Sequence, residues 1–334
     1  MTSEELIFLC SATTQKHIPV YIYDCVVGLE DGRRITLIHQ CPVLGKWGEQ
    51  TTLLDLTKTF SNPMQISIEY YSFVEKKNYQ CEFSLKDSFF GDILSLFENK
   101  DKQQGLLLIC GFSFCGKIGF WLSSNNKSCI IGSCLSVTDK RTKEYDHFQS
   151  IEELRKNFIR YDSVIGDIEK GIVDVSKLFE NDMNQFTYRY LVAFENLNED
   201  VKPELGFIEE MLYDGTHDKL HDGGLMKYHK AGKPKKLAIK WNIEKSEYSA
   251  YFWFEEVGIR TVFDKFYGAH PETETDFIIR IDTENQKYEL ALYRYGLKEP
   301  RVIPEDSYQL IVFKNKFEDY RSDYYNQESG AWVW

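Results

Sequence analysis

What this 334-residue chain lacks sets the first limits. No stretch approaches the roughly 18–20 uninterrupted apolar residues that a membrane-crossing helix needs. No long low-complexity or Pro-, Gly- or Ser-rich segment occurs, so a packed protein is expected rather than a disordered one. Basic charge is scarce: 40 Lys and Arg stand against 52 Asp and Glu, a net charge of −12. The deficit is uneven, with 15 basic against 17 acidic residues in 1–150 and 25 against 35 in 151–334. Such a surface repels phosphate backbones and disfavours nucleic acid as a partner. It suits plain solubility, or a face that steers a basic partner.

Recognisable catalytic motifs are absent too. There is no Gly-x-x-x-x-Gly-Lys-Ser/Thr phosphate loop, no dinucleotide fingerprint and no Gly-x-Ser-x-Gly elbow. No Asp/Glu pair has a spacing that singles it out for glycoside hydrolysis. The sequence therefore predicts a non-catalytic protein that needs no cofactor.

Cysteine is missing after Cys134; all eight lie before it, at 10, 25, 41, 81, 110, 115, 129 and 134. Cys110/Cys115 and Cys129/Cys134 share a gap of four residues, which invites a zinc reading. Yet Cys110 ends the apolar run Leu106–Ile109 and Cys129 opens Ile130–Ile131, so buried free thiols on strands are expected instead. A cysteine-rich chain without a disulfide framework fits a reducing compartment. The first ten residues carry Glu4 and Glu5 where an export signal is basic, and Leu9 precedes Cys10 where a lipoprotein signal needs a small residue. A cytoplasmic location is expected, with the periplasm as the alternative if a signal has been removed.

What is present is a near-repetition. Residues 65–122 and 236–292 share a hydrophobic pattern at an offset of about 170 residues, as repeat architectures do. Ile66 and Ile68 answer to Leu237 and Ile239, Tyr70 to Trp241, Tyr79 to Tyr248 and Phe83 to Phe252. Phe90, Ile93 and Phe97 answer to Ile259, Val262 and Phe266. Each copy reads strand–strand–helix–strand–strand: Gln65–Tyr71, Asn78–Leu85, a helix carrying Phe90 to Phe97, Leu106–Phe112 and Lys117–Leu122 in the first. The second repeats this through Lys236–Trp241, Tyr248–Phe254, Val257–Tyr267, Asp276–Ile281 and Lys287–Tyr293. The expected fold is α+β. It has two tandem homologous domains at 1–149 and 186–334, each an antiparallel sheet, joined by a helical connector at 150–185. Ser150 and Glu153 form a capping box that opens the connector.

The first repeat resembles a bacterial family known as a domain of unknown function, many of whose members are lipoproteins. His17-Ile18-Pro19-Val20-Tyr21-Ile22 is similar to its Tyr-Pro-Val strand, and Gly45-Lys46-Trp47-Gly48 to its Gly-Gly-Trp-Gly motif, with Lys46 in place of a glycine. Ser72-Phe73-Val74-Glu75-Lys76-Lys77-Asn78-Tyr79 matches its Ser-x-x-Glu-x-Lys-x-Tyr segment, and Gly111 to Trp121 its glycine-rich hairpin. The likeness covers about residues 15–135. Some similar genes lie beside secreted antibacterial effectors, including type VI phospholipases. The resemblance thus implies an immunity protein that binds a toxin effector and occludes its active site.

Candidate contact residues follow. Trp47 lies in the Gly-Trp-Gly motif. Glu75, Lys77 and Tyr79 alternate, which on one strand puts them on one face, as a binding row or a salt-bridged rim. Asp214, Asp218 and Asp222 sit in the run Asp214–Gly224 with His217 and His221, whose i, i+4 spacing would suit a metal on a helix. The glycines around them favour a polar loop. Trp332 and Trp334 close the chain as a docked tail or a contact patch. The rival functions are a carbohydrate-binding module using Trp241 and Trp253 as platforms, and a hydrolase built on His217 and His221.

Overall fold

Period-two alternation of buried and half-buried side chains marks many of the strands, as in the second half of β2, Val20–Leu29, and in β17, Thr275–Asp282. The computed structural model describes residues 6–138 and 175–314, less short stretches at 16–18, 44–51, 61–62, 86–87, 126, 197–200 and 283–286. It also describes Lys170, 325–326 and 331–332. Strands take 61% of it and helices 15%. The fold is therefore mostly β, which corrects the α+β expectation of helix-and-sheet cores joined by a helical connector. The segments flanking the repeated core are themselves strands.

The chain forms two units, Met1–Met183 and Asn184–Trp334. The first contains β1 (Leu6–Thr14), β2, β3 (Arg34–Val43), β4 (Thr52–Phe60), β5 (Pro63–Ser72) and β6 (Lys77–Ser84). Helices α1 (Ser88–Ser95) and α2 (Asn99–Gln104) follow, then β7 (Leu106–Phe112), β8 (Lys117–Ser123), β9 (Ser128–Leu135), β10 (Val137–Thr138) and α3 (Val175–Met183). One layer runs β9-β8-β7-β1-β4 and the other β10-β6-β5-β2-β3. Their apolar faces share a core of Ile22, Val27, Ile66, Ile68, Leu108, Phe112 and Phe120, among others.

The second unit contains β11 (Phe186–Glu195), β12 (Pro203–Leu212), β13 (His217–Leu220), α4 (Asp222–Leu225), β14 (His229–Ala231), β15 (Pro234–Ile243) and β16 (Ser246–Phe254). After them come α5 (Glu256–Tyr267), β17, β18 (Lys287–Tyr293), β19 (Arg301–Val302) and β20 (Tyr308–Lys314). Its layers run β13-β12-β15-β16-β20 and β14-β11-β17-β18-β19. A two-stranded ribbon, β21 (Tyr325–Asn326) with β22 (Ala331–Trp332), lies near the C-terminus.

The pairings of the two units coincide strand for strand. The first strand of each pairs antiparallel with the fourth and parallel with the seventh. The second pairs with the third and fifth, and the sixth with the fifth and tenth. Register repeats as well: Ile66 faces Phe83 where Leu237 faces Phe252. Tyr70 stacks on Tyr79 at 5.3 Å where Trp241 stacks on Tyr248 at 5.6 Å. The repeated positions are thus cross-strand partners, the contacts that stabilise a sheet.

Helix α3 is tied to the first unit. Gln15 donates to Asp182 and accepts from Ser113, while Lys117 bonds Glu180. The rest of the expected connector, with Ser150 and Glu153, lies outside the described residues. In the hairpin β7–β8, Gly111 faces Gly119, and a Cβ at either would lie within 2.6 Å of the Trp121 ring. Both glycines are required because the indole occupies the space a Cβ would take, which gives the glycine–tryptophan pattern of this hairpin its physical basis.

The cysteines depart from expectation: Cys115 is exposed in the β7–β8 turn, Cys129 is half-buried, and one pair is bonded. Cys81 on β6 and Cys134 on β9 form a disulfide linking the two layers of the first unit. The two are 53 residues apart in sequence, so no local spacing marks the pair. None of the other six is in a disulfide; Cys10, Cys25 and Cys110 are buried, and Cys25 hydrogen-bonds Cys110.

Candidate functional site

The densest set of ionisable groups lies within the second unit, where no sequence motif marks it. Alternation on β11 sends Tyr188 and Tyr190 to the same buried face. Glu210 enters from β12 and His229 from β14, which pairs with β11 so that His229 faces Tyr188. The Tyr190 hydroxyl donates to Glu210 Oε2 at 2.6 Å, and His229 Nε2 lies 3.4 Å from Glu210 Oε1. The Tyr188 hydroxyl donates to the Gly232 carbonyl at 2.8 Å. Beside them Asp214, with no exposed surface, accepts from the Thr216 backbone N–H at 2.9 Å and hydroxyl at 2.6 Å. Lys233 is buried too, its Nζ 5.0 Å from the centre of the Phe186 ring.

The electrostatics follow from burial. Burial first, then the Glu210 charge, raises Tyr188 and Tyr190 far above the usual phenol range, so both remain donors. Burial also raises Asp214 against the opposing bonds from Thr216 and Gln185. For His229 burial opposes the charge, but the Glu210 carboxylate and the Lys227 carbonyl outweigh it, and the net shift is upward. A carboxylate holding an imidazolium and a phenol could in principle move protons. Here Glu210 and both tyrosines are sealed from solvent, so the cluster locks β11, β12 and β14 together.

The first unit carries a smaller knot. Glu75 lies in the β5–β6 turn, where its Oε1 accepts from the Tyr79 hydroxyl at 2.9 Å and from the Cys115 backbone N–H at 3.1 Å. Its own N–H donates to Ser72 Oγ at 3.3 Å. Cys115 has φ +57°, and Gly116 beside it has φ +74° with the Tyr79 ring 3.0 Å from where a Cβ would sit. The carboxylate thus pins the β7–β8 turn to the β5–β6 turn. Burial, then the nearby Glu75 charge, raises the Cys115 thiol. The alternating row is broken: Glu75 is off the strand, Tyr79 is buried, and only Lys77 is fully exposed.

Burial withdraws Asp214 from any contact surface. His217 and Asp218 are half-buried on β13, opposite Met211 and Glu210, so that segment is strand where a loop was expected. His221 is exposed and approaches the Gly206 carbonyl at 3.3 Å. It precedes α4, so the two histidines do not share a helix turn. Asp222 opens α4, and its side chain, like Trp47 and Trp334, lies outside the described residues. Among those residues no group of three or more His, Cys, Asp or Glu is placed to hold a metal, and no helix is long and apolar enough to cross a membrane.

The Tyr–Glu–His cluster escaped sequence reading because its members are spread from 188 to 229. The one local signal was Glu210 at an inward position of an alternating strand, two residues after Ile208. Comparison with family models and with curated proteins gives no match.

Proposed function

We propose that this chain is a non-catalytic protein-binding protein of the immunity type, which covers the active site of a toxin effector. The observation that carries the reading is how the second unit divides its acids. Glu210 and Asp214 are consumed internally, whereas Glu255, Glu305 and Asp306 are exposed around one corner. There the turn Glu305–Ser307 meets the start of α5, with the Glu255 N–H bonded to the Ser307 carbonyl at 2.8 Å. Val257, on the first turn of α5, is 65% exposed beside them. Carboxylates around an apolar anchor suit a basic partner: charge speeds encounter and the anchor holds the complex.

The test is co-expression of the tagged chain with the product of its neighbouring gene, followed by purification. A stoichiometric complex that silences the neighbour's activity supports the proposal; recovery of the chain alone, with the neighbour a metabolic enzyme, rejects it. The carbohydrate alternative is weakened, since Trp241 is buried in the core. Only Trp253, stacked on Tyr251 at 5.8 Å, stays on an outer face, and Lys236 lies over both rings. The Cys81–Cys134 disulfide supports an oxidising compartment and the six cysteines outside any disulfide a reducing one. We take the cytoplasm as the working location, and thiol counting on native protein tests it.

A further inference from the structure

We propose that the open edge of β20 is a self-association surface, pairing antiparallel with β20 of a second copy of this chain. Among the described residues β20 has β16 as its one strand neighbour and stands last in its layer. The Glu255 N–H bond to the Ser307 carbonyl fixes the ladder's phase. By the alternation of an antiparallel ladder, residues 309, 311 and 313 then turn their backbone groups toward β16. Tyr308, Leu310, Val312 and Lys314 turn theirs outward, a row of donors and acceptors ready for another strand.

Side chains on both faces ask for the same neighbour. Val312 lies on the core side, opposite Ala250, yet is 36% exposed; Ile311 on the other face is 40% exposed. The strand is regular, with no bulge against β16 and no proline, so it lacks the usual defences of an edge. The strand runs unbroken for seven residues along β16.

The sequence Tyr308-Gln-Leu-Ile-Val-Phe-Lys314 fits itself in antiparallel register about Ile311. Leu310 then faces Val312 of the second copy, Ile311 faces its own mate, and Lys314 faces Tyr308. The acidic approach, Glu305 and Asp306, falls at the basic end of the other strand; parallel pairing would set like against like. The two-fold closes the association at a dimer instead of a fibre.

The experiment is sedimentation equilibrium on the full chain across a concentration series, with no partner protein present. Its outcome is therefore independent of the immunity reading. We expect wild type to approach twice the chain mass. Val312→Pro removes an outward N–H, leaves the β16 ladder intact and should sediment as monomer with an unchanged melting temperature. Ile311→Lys and Ile311→Glu, which set like charges on the two-fold, should each be monomeric alone and dimerise when mixed. A monomeric wild type, a Val312→Pro protein as dimeric as wild type, or a mixture that stays monomeric would each overturn the proposal.

Discussion

Asp214 shows what one buried side chain demands of its neighbours. A Cβ at Gly232 would lie 2.6 Å from the Asp214 carboxyl carbon, and that carboxylate is fixed by Thr216. Gly232→Ala should therefore lower stability by about 1–3 kcal/mol, read as a shift in urea midpoint at constant slope. An unchanged midpoint would mean the loop is not packed as described. His229 yields a pH prediction. Its folded-state pKa is raised above 6.5, so its contribution is complete below pH ~6.5 and is lost as pH rises through the folded value. The melting temperature of wild type should fall over that rise, and His229→Gln should flatten that part of the profile. Asp214, raised above 3.8 by burial, gains a proton on folding and adds stability at lower pH, as the solution falls through its own folded value.

Between elements, the disulfide joins β6 to β9 and so closes one layer on the other. Closing its loop restricts the unfolded chain by an amount on the order of 4 kcal/mol in the chain-entropy picture. Reduction, or the Cys81→Ser/Cys134→Ser pair, should lower the melting temperature, and a reducing agent should do nothing further to the double variant. An equal response of both proteins would place the effect at another thiol. Much of the element order was legible: the hairpin β5–β6, the hairpin β7–β8 and their counterparts lie where alternation puts them. What escaped notice were β1, β4, β12, β13 and β20. Of these, β1, β4 and β20 pair with segments dozens of residues away, which no local window records, whereas β12 and β13 form a hairpin with each other.

At the scale of the whole chain, charge is the property most open to test. The excess of ten acids over residues 151–334 makes any encounter with a basic partner dependent on salt. Glu305→Lys/Asp306→Lys should slow association at least about tenfold at low ionic strength while leaving dissociation nearly unchanged, as surface plasmon resonance would show. A change confined to dissociation would move the contact away from this corner.

The sequence by itself determined the repeat and its register, because the matched residues are cross-strand partners and packing fixes them in both copies. It also determined that Cys110 is a buried thiol, since the apolar run Leu106–Ile109 leads into it. Tertiary structure alone decided that each unit is built of two β layers, because strand pairing between distant segments leaves no local periodicity. It decided likewise that Cys81 meets Cys134, that Glu75 pins a turn, and that Tyr190, Glu210 and His229 meet. Each needs a distance in space that spacing along the chain does not encode.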